Sequence, residues 1–265
     1  MKHLHWAALA VATICVSGTA SANPFAYNYG AETAEKGETE VAAWATQRDG
    51  RRSGDYRARD IEFEIEHGFT DRTQGALYLT FETHRGDDLR WNGAKAEFVT
   101  TLVKPDAHKL GVALYIEPAY SRFAKGSGER QSVLSLETKL LLERRFGDRL
   151  TWVGNATLEQ EFERDDHRWN PELEAELSTG LAYRVAGRVT IGGEGRWTNV
   201  FAGFPNVVER EKWALFAGPT IHYDGGEWFA TLSHQVQLAG GPGGGARNLD
   251  GFERHETRLK LGVEF

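Results

Sequence analysis

Glutamate recurs at every second residue through several stretches of this chain: Glu62, Glu64 and Glu66, then Glu159 and Glu161, then Glu172, Glu174 and Glu176. Residues two apart share a face of an extended backbone, so each stretch stacks its carboxylates on one side of a strand. Carboxylates in that arrangement can hold a divalent ion, set the field of a water-filled pore, or brace a buried network against Lys and Arg. The same parity carries Glu97, Glu117, Glu137, Glu194 and Glu256, together with the cations Lys95, Lys139, Arg184, Arg196, Arg258 and Lys260. That is roughly sixteen Glu against about six cations. Counting along the strands places Glu62, Glu64, Glu97, Glu137, Lys139, Glu194, Arg258 and Lys260 near mid-height. With Arg196 these are the expected lumen and selectivity residues.

Other chemistry is less well supported. Glu159 and Glu161 rise on one strand and Glu172 and Glu174 descend on the next, a like-charge juxtaposition that needs Arg164 and Arg168, or a Ca²⁺ ion, to neutralise it. His234 and His255 fall on the apolar parity of the last two strands and are expected to be neighbours across a hairpin. A lipid hydrolase would also need a nucleophile there. Thr257 and Ser233 are the nearest hydroxyls, and neither a G-x-S-x-G nor an H-E-x-x-H motif is present. His222 reads as hydrogen-bonded scaffold. Gly240–Gly245 lacks the Lys-Ser/Thr ending of a phosphate loop and reads as a pliable outer loop. The chain therefore predicts no catalytic residues, no metal site and no cofactor.

The elements that position these side chains are alternating strands. Ile61, Phe63 and Ile65 oppose Glu62, Glu64 and Glu66; Leu77, Leu79 and Phe81 oppose Tyr78, Thr80 and Glu82; Leu110, Val112, Leu114 and Ile116 oppose Gly111, Ala113, Tyr115 and Glu117. Similar segments cover 38–48, 57–67, 73–83, 92–104, 109–121, 132–144, 150–163, 172–184, 188–198, 212–223, 227–237 and 252–265, about twelve strands. Their connections alternate between tight turns such as 68–72 and 146–149 and longer polar links such as 84–91, 164–171 and 238–251. Short turns opposite long loops, with an even strand count, predict a transmembrane antiparallel up-and-down β-barrel with both termini periplasmic. A twelve-stranded ring is too wide for Leu and Ile to fill, so the oily face must meet lipid. Aromatics on that parity sort by strand end: Tyr120, Phe162, Trp197 and Trp213 at the outer, and Trp152, Tyr183, Tyr223, Trp228 and Phe265 at the inner. Pro118 and Pro219 inside strands predict bulges.

The address agrees. Met1-Lys2-His3, an apolar run from Trp6 to Val16 and the Ala20-Ser21-Ala22 site make residues 1–22 a cleavable signal peptide. Its loss removes Lys2 and Cys15, the only cysteine, so the mature chain has no disulfide or thiol, and 38 acids outnumber its basic residues. Nucleic acid is not an expected partner. Mean hydropathy is −0.48, a value that membrane strands permit because only alternate residues meet lipid. Residues 23–37 read as a periplasmic lead-in, and 38–265 as the barrel.

The last strand, from His255 to the terminal Phe265, resembles the closing strand of bacterial outer-membrane barrels, whose terminal aromatic implies an assembly signal read by the barrel-assembly machinery. Glu32–Gly37 leading to Glu40 and Trp44, followed by Gly68-Phe69-Thr70-Asp71-Arg72, resembles an uncharacterised family of proteobacterial outer-membrane barrels. More distantly the chain is similar to barrels associated with aromatic-compound degradation. The resemblance implies outer-membrane lipid as surroundings and transfers no catalytic residues. Three readings follow: a passive channel for small polar or cationic solutes, a closed barrel with a structural or surface-interaction role, and a lipid-active enzyme. The carboxylate excess favours a wet interior, because unneutralised carboxylates do not stay dry.

Overall fold

The computed structural model describes residues 23–265 except 55, 85–86, 107–108, 125–127, 166–167, 203–204, 206–208 and 244–245. The expected signal peptide lies outside the described residues. Twelve strands are present: β1 Thr39–Asp49, β2 Arg57–Thr70, β3 Thr73–His84, β4 Arg90–Val103, β5 Gly111–Phe123, β6 Arg130–Phe146, β7 Leu150–Asp165, β8 Arg168–Ala186, β9 Val189–Ala202, β10 Glu209–Asp224, β11 Trp228–Gly241 and β12 His255–Glu264. Each pairs antiparallel with its neighbours in sequence, and β1 pairs with β12, closing the ring. Thr39 and Phe265 exchange two backbone hydrogen bonds of 2.9 Å at the seam, so the terminal aromatic completes the last ladder and leaves no open edge.

The alternation sets which face is which. On β3 the outward Leu77 is 63% exposed and the inward Tyr78 2%. The same contrast runs around the ring, with Phe63, Leu114, Leu158, Leu177, Leu232 and Leu261 all exposed. Bare apolar side chains over a whole exterior suit hydrocarbon and not water. Tyr120, Phe162 and Trp197 at the long-loop end and Tyr183, Tyr223, Trp228 and Phe265 at the terminus end are exposed as well.

Three expectations change. Neither Pro118 nor Pro219 carries a bulge: Pro118 keeps register with Leu136 and Pro219 with Gly193. Each turns its missing N–H toward the other neighbour, where the ladder is interrupted, and parity passes through intact. The shifts in β10 fall instead between Leu215 and Phe216 and between Arg210 and Lys212. The link expected at 164–171 is zipped into strand, with Arg164 opposite Trp169 and Asp165 opposite Arg168. The third change concerns residues 23–37. They are not a lead-in lying in the periplasm, because residues 23–35 thread into the lumen.

The reason is steric. Phe25, Ala26, Tyr27, Asn28, Ala31 and Thr33 are all buried. Small inward residues make room for them: Phe25 packs on Val153 and Ala182, and a Cβ on Gly180 would lie 2.6 Å from its ring. Ala31 packs with Val99, Ala113, Tyr115 and Leu141. The segment leaves the barrel where Gly37, with φ of 90°, donates its N–H to the Gly68 carbonyl at 2.8 Å. A Cβ at Gly68 would sit 2.0 Å from the Glu35 carbonyl oxygen, so the crossing needs glycine there.

Candidate functional site in the lumen

The inner wall presents Glu, Lys, Arg, Tyr and Asn from most strands and Thr, Ser and Gln from β11, and residues 23–35 are held against it by polar contacts with several strands. The Glu194 carboxylate on β9 accepts the backbone N–H groups of Ala26, Tyr27 and Asn28 at 3.1, 2.8 and 3.1 Å and the Asn28 side-chain amide at 2.9 Å. Three successive N–H groups converging on one anion form a nest, which suits a carboxylate better than any neutral acceptor. On β7, Asn155 brackets Tyr29, accepting its N–H at 2.8 Å and donating to its carbonyl at 2.9 Å. Glu143 accepts the Ala31 N–H, the Thr101 hydroxyl donates to the Ala31 carbonyl, and Gln74 accepts the Ala34 N–H. Arg258 donates to the Ala26 carbonyl at 3.0 Å.

The expected selectivity residues all lie on the inner wall, and most sit in ion pairs. Lys95 bridges Glu62 at 3.3 Å and Glu117 at 3.8 Å; Lys139 pairs with Glu137 at 2.9 Å; Lys260 pairs with Glu40 at 3.0 Å and Glu64 at 3.5 Å. Arg196 reaches Glu256 at 2.6 Å and Gln235 at 2.8 Å. The guanidinium groups of Arg196 and Arg258 lie 4.5 and 4.4 Å from the Tyr27 ring centroid, and Lys139 stands 4.7 Å from that of Tyr29. Such cation–π contacts tie the segment's rings to the charged wall.

The carboxylate excess has partners that side-chain parity could not reveal. Glu194 and Glu143 are met by backbone N–H groups of the threaded segment. The Tyr78 hydroxyl is 2.7 Å from both Glu64 and Glu97, and the Tyr115 hydroxyl donates to Glu117 at 2.9 Å. One phenol proton serves one of the two carboxylates at a time. An excess of Glu over Lys and Arg therefore does not by itself require a wet interior. The donors come from Tyr side chains and from a stretch of backbone that has no strand pattern.

Below the segment, at the terminus end, a cavity of about 540 Å³ opens between residues 23–35 and the wall. Glu40, Glu66 and Glu264 line one side, and Arg149, Arg184 and Arg188 line another. On the inner wall above it, β5 to β8 align Glu117, Glu137, Glu159 and Glu174 in one register row. Glu161 stands opposite Glu172, as the sequence predicted. Among the described residues no group of three or more His, Cys, Asp or Glu is arranged to hold a metal ion.

At the long-loop end, Arg48 reaches Asp60 and stands 3.6 Å from Glu256, and Arg51 is 3.6 Å from Glu253 and covers the Tyr56 ring at 4.0 Å. Burial above all, and then Glu253, pushes the Tyr56 phenol up to about 12. Burial and then Glu256 raise the Glu253 carboxyl. The loop after β11 packs down here through Asn248, whose carbonyl accepts from Gln237 at 3.2 Å.

His222 is buried with Nδ1 2.8 Å from the Thr231 hydroxyl, a scaffold contact. His234 and His255 do meet, on the exterior, with ring centroids 5.6 Å apart. Thr257 lies 2.8 Å from His234, while Ser233 is buried on the opposite face and donates to the Pro219 carbonyl.

The sequence reading missed the threaded segment and its seat: Tyr29, Gln74, Thr101, Glu143 and Asn155. One signal was available. Residues 23–31 carry no charge and place Phe25, Tyr27 and Tyr29 two apart, a poor composition for a solvated lead-in.

The family described as "Family of unknown function (DUF6662)" matches residues 17–265. No curated protein matches the sequence. Among solved structures, the fold is similar to an outer membrane channel from Pseudomonas putida F1 (TM-score 0.61, 10% identity, 89% of this chain and 98% of that one). It is also similar to the β domain of the Bordetella autotransporter BrkA (0.54, 12%, 87% and 100%) and to the NanC porin (0.52, 12%, 85% and 98%). At such identities the likeness speaks for the fold.

Proposed function

The chain belongs to the Family of unknown function (DUF6662), and we propose that it is an outer-membrane channel that passively admits small polar solutes, cations ahead of anions. The observation that carries this reading is the lumen: charged and hydrogen-bonding side chains line much of it, around small apolar clusters, and a vestibule of about 540 Å³ lies at the terminus end. A barrel needing only a stable core would gain more from apolar packing, since a buried ion pair is a weak source of stability. The row Glu117, Glu137, Glu159 and Glu174 sets four carboxylates side by side on one wall, with Lys95 and Lys139 among them, and charged side chains lining a pore set its ion preference. The likeness to an outer membrane channel and a porin raises the prior for this class. In this reading the signal peptide carries the chain across the inner membrane, the terminus end faces the periplasm, and Phe265 is the mark used by the barrel-assembly machinery.

Planar-bilayer recording tests it. Small ohmic steps with a cation-preferring reversal potential are expected, and Glu97→Gln with Glu137→Gln should reduce that preference. A closed barrel with a structural or surface-interaction role is the second reading, favoured by the threading of residues 23–35 through the lumen. A bilayer that stays silent for both the intact chain and a variant lacking residues 23–35 selects it.

A further inference from the structure

The exterior, which the channel reading does not use, carries a polar patch joined to an apolar groove. In register around the outside run His234 on β11, Thr257 on β12, Gln47 on β1, Arg59 on β2 and Thr83 on β3. One step toward the terminus end the same strands present Leu232, Leu259, Ala45, Ile61 and Phe81. One step toward the long loops, Val236 on β11 is followed by His255, Asp49 and Arg57. The exterior thus changes from apolar to basic and hydrogen-bonding within two residues along each of these strands. Among the described residues, Asp49 is the only carboxylate in these two rows.

The patch is internally ordered. The His234 and His255 rings stack at an interplanar angle of 23°, Arg59 Nε donates to Gln47 at 3.3 Å, and Gln47 donates to Asp49 at 3.2 Å. With one edge of each of these groups so engaged, the Arg59 terminal nitrogens and Arg57 are left to face outward, and both arginines are exposed.

Beside His234 the lipid face is notched. Thr220 pairs with Ser233, so Pro219 stands next to His234, and Pro219 pairs with Gly193, which pairs with Leu181. Gly193 has no side chain, and the floor at Gly192, Gly193 and Pro219 lies between Leu181, Ile191 and Ile221 in an apolar groove of about 710 Å³ that begins at His234. The row descends as it goes round. Thr83 is the penultimate residue of β3 at the long-loop end, whereas Trp152, opposite Leu181, is the third residue of β7 at the terminus end.

We infer that this face binds a phosphorylated lipid of the outer leaflet, its phosphate held by Arg57, Arg59 and the His234/His255 pair and one acyl chain laid in the Gly193–Pro219 groove. Charge complementarity selects an anionic head, and the groove runs from that head toward the terminus end, as an outer-leaflet chain does. Guanidinium groups match a phosphate through paired N–H donors, and an imidazole edge adds another. The inference rests on the outer-membrane location and not on conduction.

Native mass spectrometry of the detergent-purified barrel tests it, with diphosphorylated lipid A, its dephosphorylated form and inorganic phosphate as probes. Retention of one diphosphorylated lipid is expected, at least tenfold stronger than of the dephosphorylated form. Arg59→Gln with His255→Ala should lower retention about tenfold, and Gly193→Leu should lower it with the head contacts intact. Heat-modifiable gel migration identifies variants that still form barrels. Equal retention of the two lipids, or no change in either folded variant, overturns the proposal. So does capture of inorganic phosphate without lipid, which would make the patch a soluble-anion site. Bilayer recordings on the same variants should match the parent, so loss of lipid binding and loss of the channel reading are separable.

Discussion

Glu194→Ala should unseat the threaded segment. The carboxylate serves four donors, the N–H groups of Ala26, Tyr27 and Asn28 and the Asn28 amide, at 2.8–3.1 Å, and both Glu194 and Asn28 are buried. A buried donor left without an acceptor costs about 1–3 kcal/mol. Water from the adjoining vestibule recovers part of that cost, so about 3 kcal/mol in total is a fair expectation. That corresponds to an increase on the order of 100-fold in the population with the segment displaced. Glu194→Gln keeps one acceptor oxygen and turns an amide toward the remaining donors, and about tenfold is expected. The assay is thiol labelling. The only native cysteine, Cys15, lies in the expected signal peptide, and Ala31 is fully buried, so a thiol introduced by Ala31→Cys reports each opening to an impermeant maleimide. Labelling should accelerate by those factors as the open population rises, and bilayer conductance should increase in step. Unchanged labelling in a folded Glu194→Ala barrel would refute the claim that this nest holds the segment.

Two further outcomes test the frame. Leu79 is 53% exposed on the outward face of β3, and Leu79→Arg should destabilise the barrel in phospholipid by about 2–4 kcal/mol in a denaturant titration if that face meets hydrocarbon; an effect within about 0.5 kcal/mol would mean that it does not. Tyr56 has its phenol raised from 10.0 to about 12, so its neutral form contributes stability that is complete below pH 10 and is lost as pH rises through about 12. Tyr56→Phe should therefore flatten the fall in melting temperature across that window, and an unaltered alkaline limb would count against the buried-phenol assignment.

The barrel was legible in the sequence because hydrocarbon and a polar lumen impose opposite demands on alternate residues, and a period of two survives wherever a strand crosses both. Ile61 to Glu66 shows it locally, and the alternating run to Phe265, with its likeness to barrel closing strands, marked the last strand. Parity likewise put Glu62, Glu97, Glu137, Glu194, Arg196 and Lys260 on the inner wall. What parity cannot express is a partner. Glu194 meets the Asn28 backbone 166 residues away, and the seat of residues 23–35 is assembled from Gln74, Thr101, Glu143, Asn155, Gly180 and Thr220 on six different strands. The segment itself belongs to no strand, because it takes its hydrogen-bond partners from wall side chains instead of from a ladder. Gly37 and Gly68 stood in the sequence as two separate fragments of a family likeness, and only ring closure shows them as one crossing point. The sequence by itself determined which face of each strand is polar and which apolar, since that is a property of single residues. The tertiary structure alone decided what fills the middle, since that depends on which distant residues the closed ring brings within 3 Å of one another.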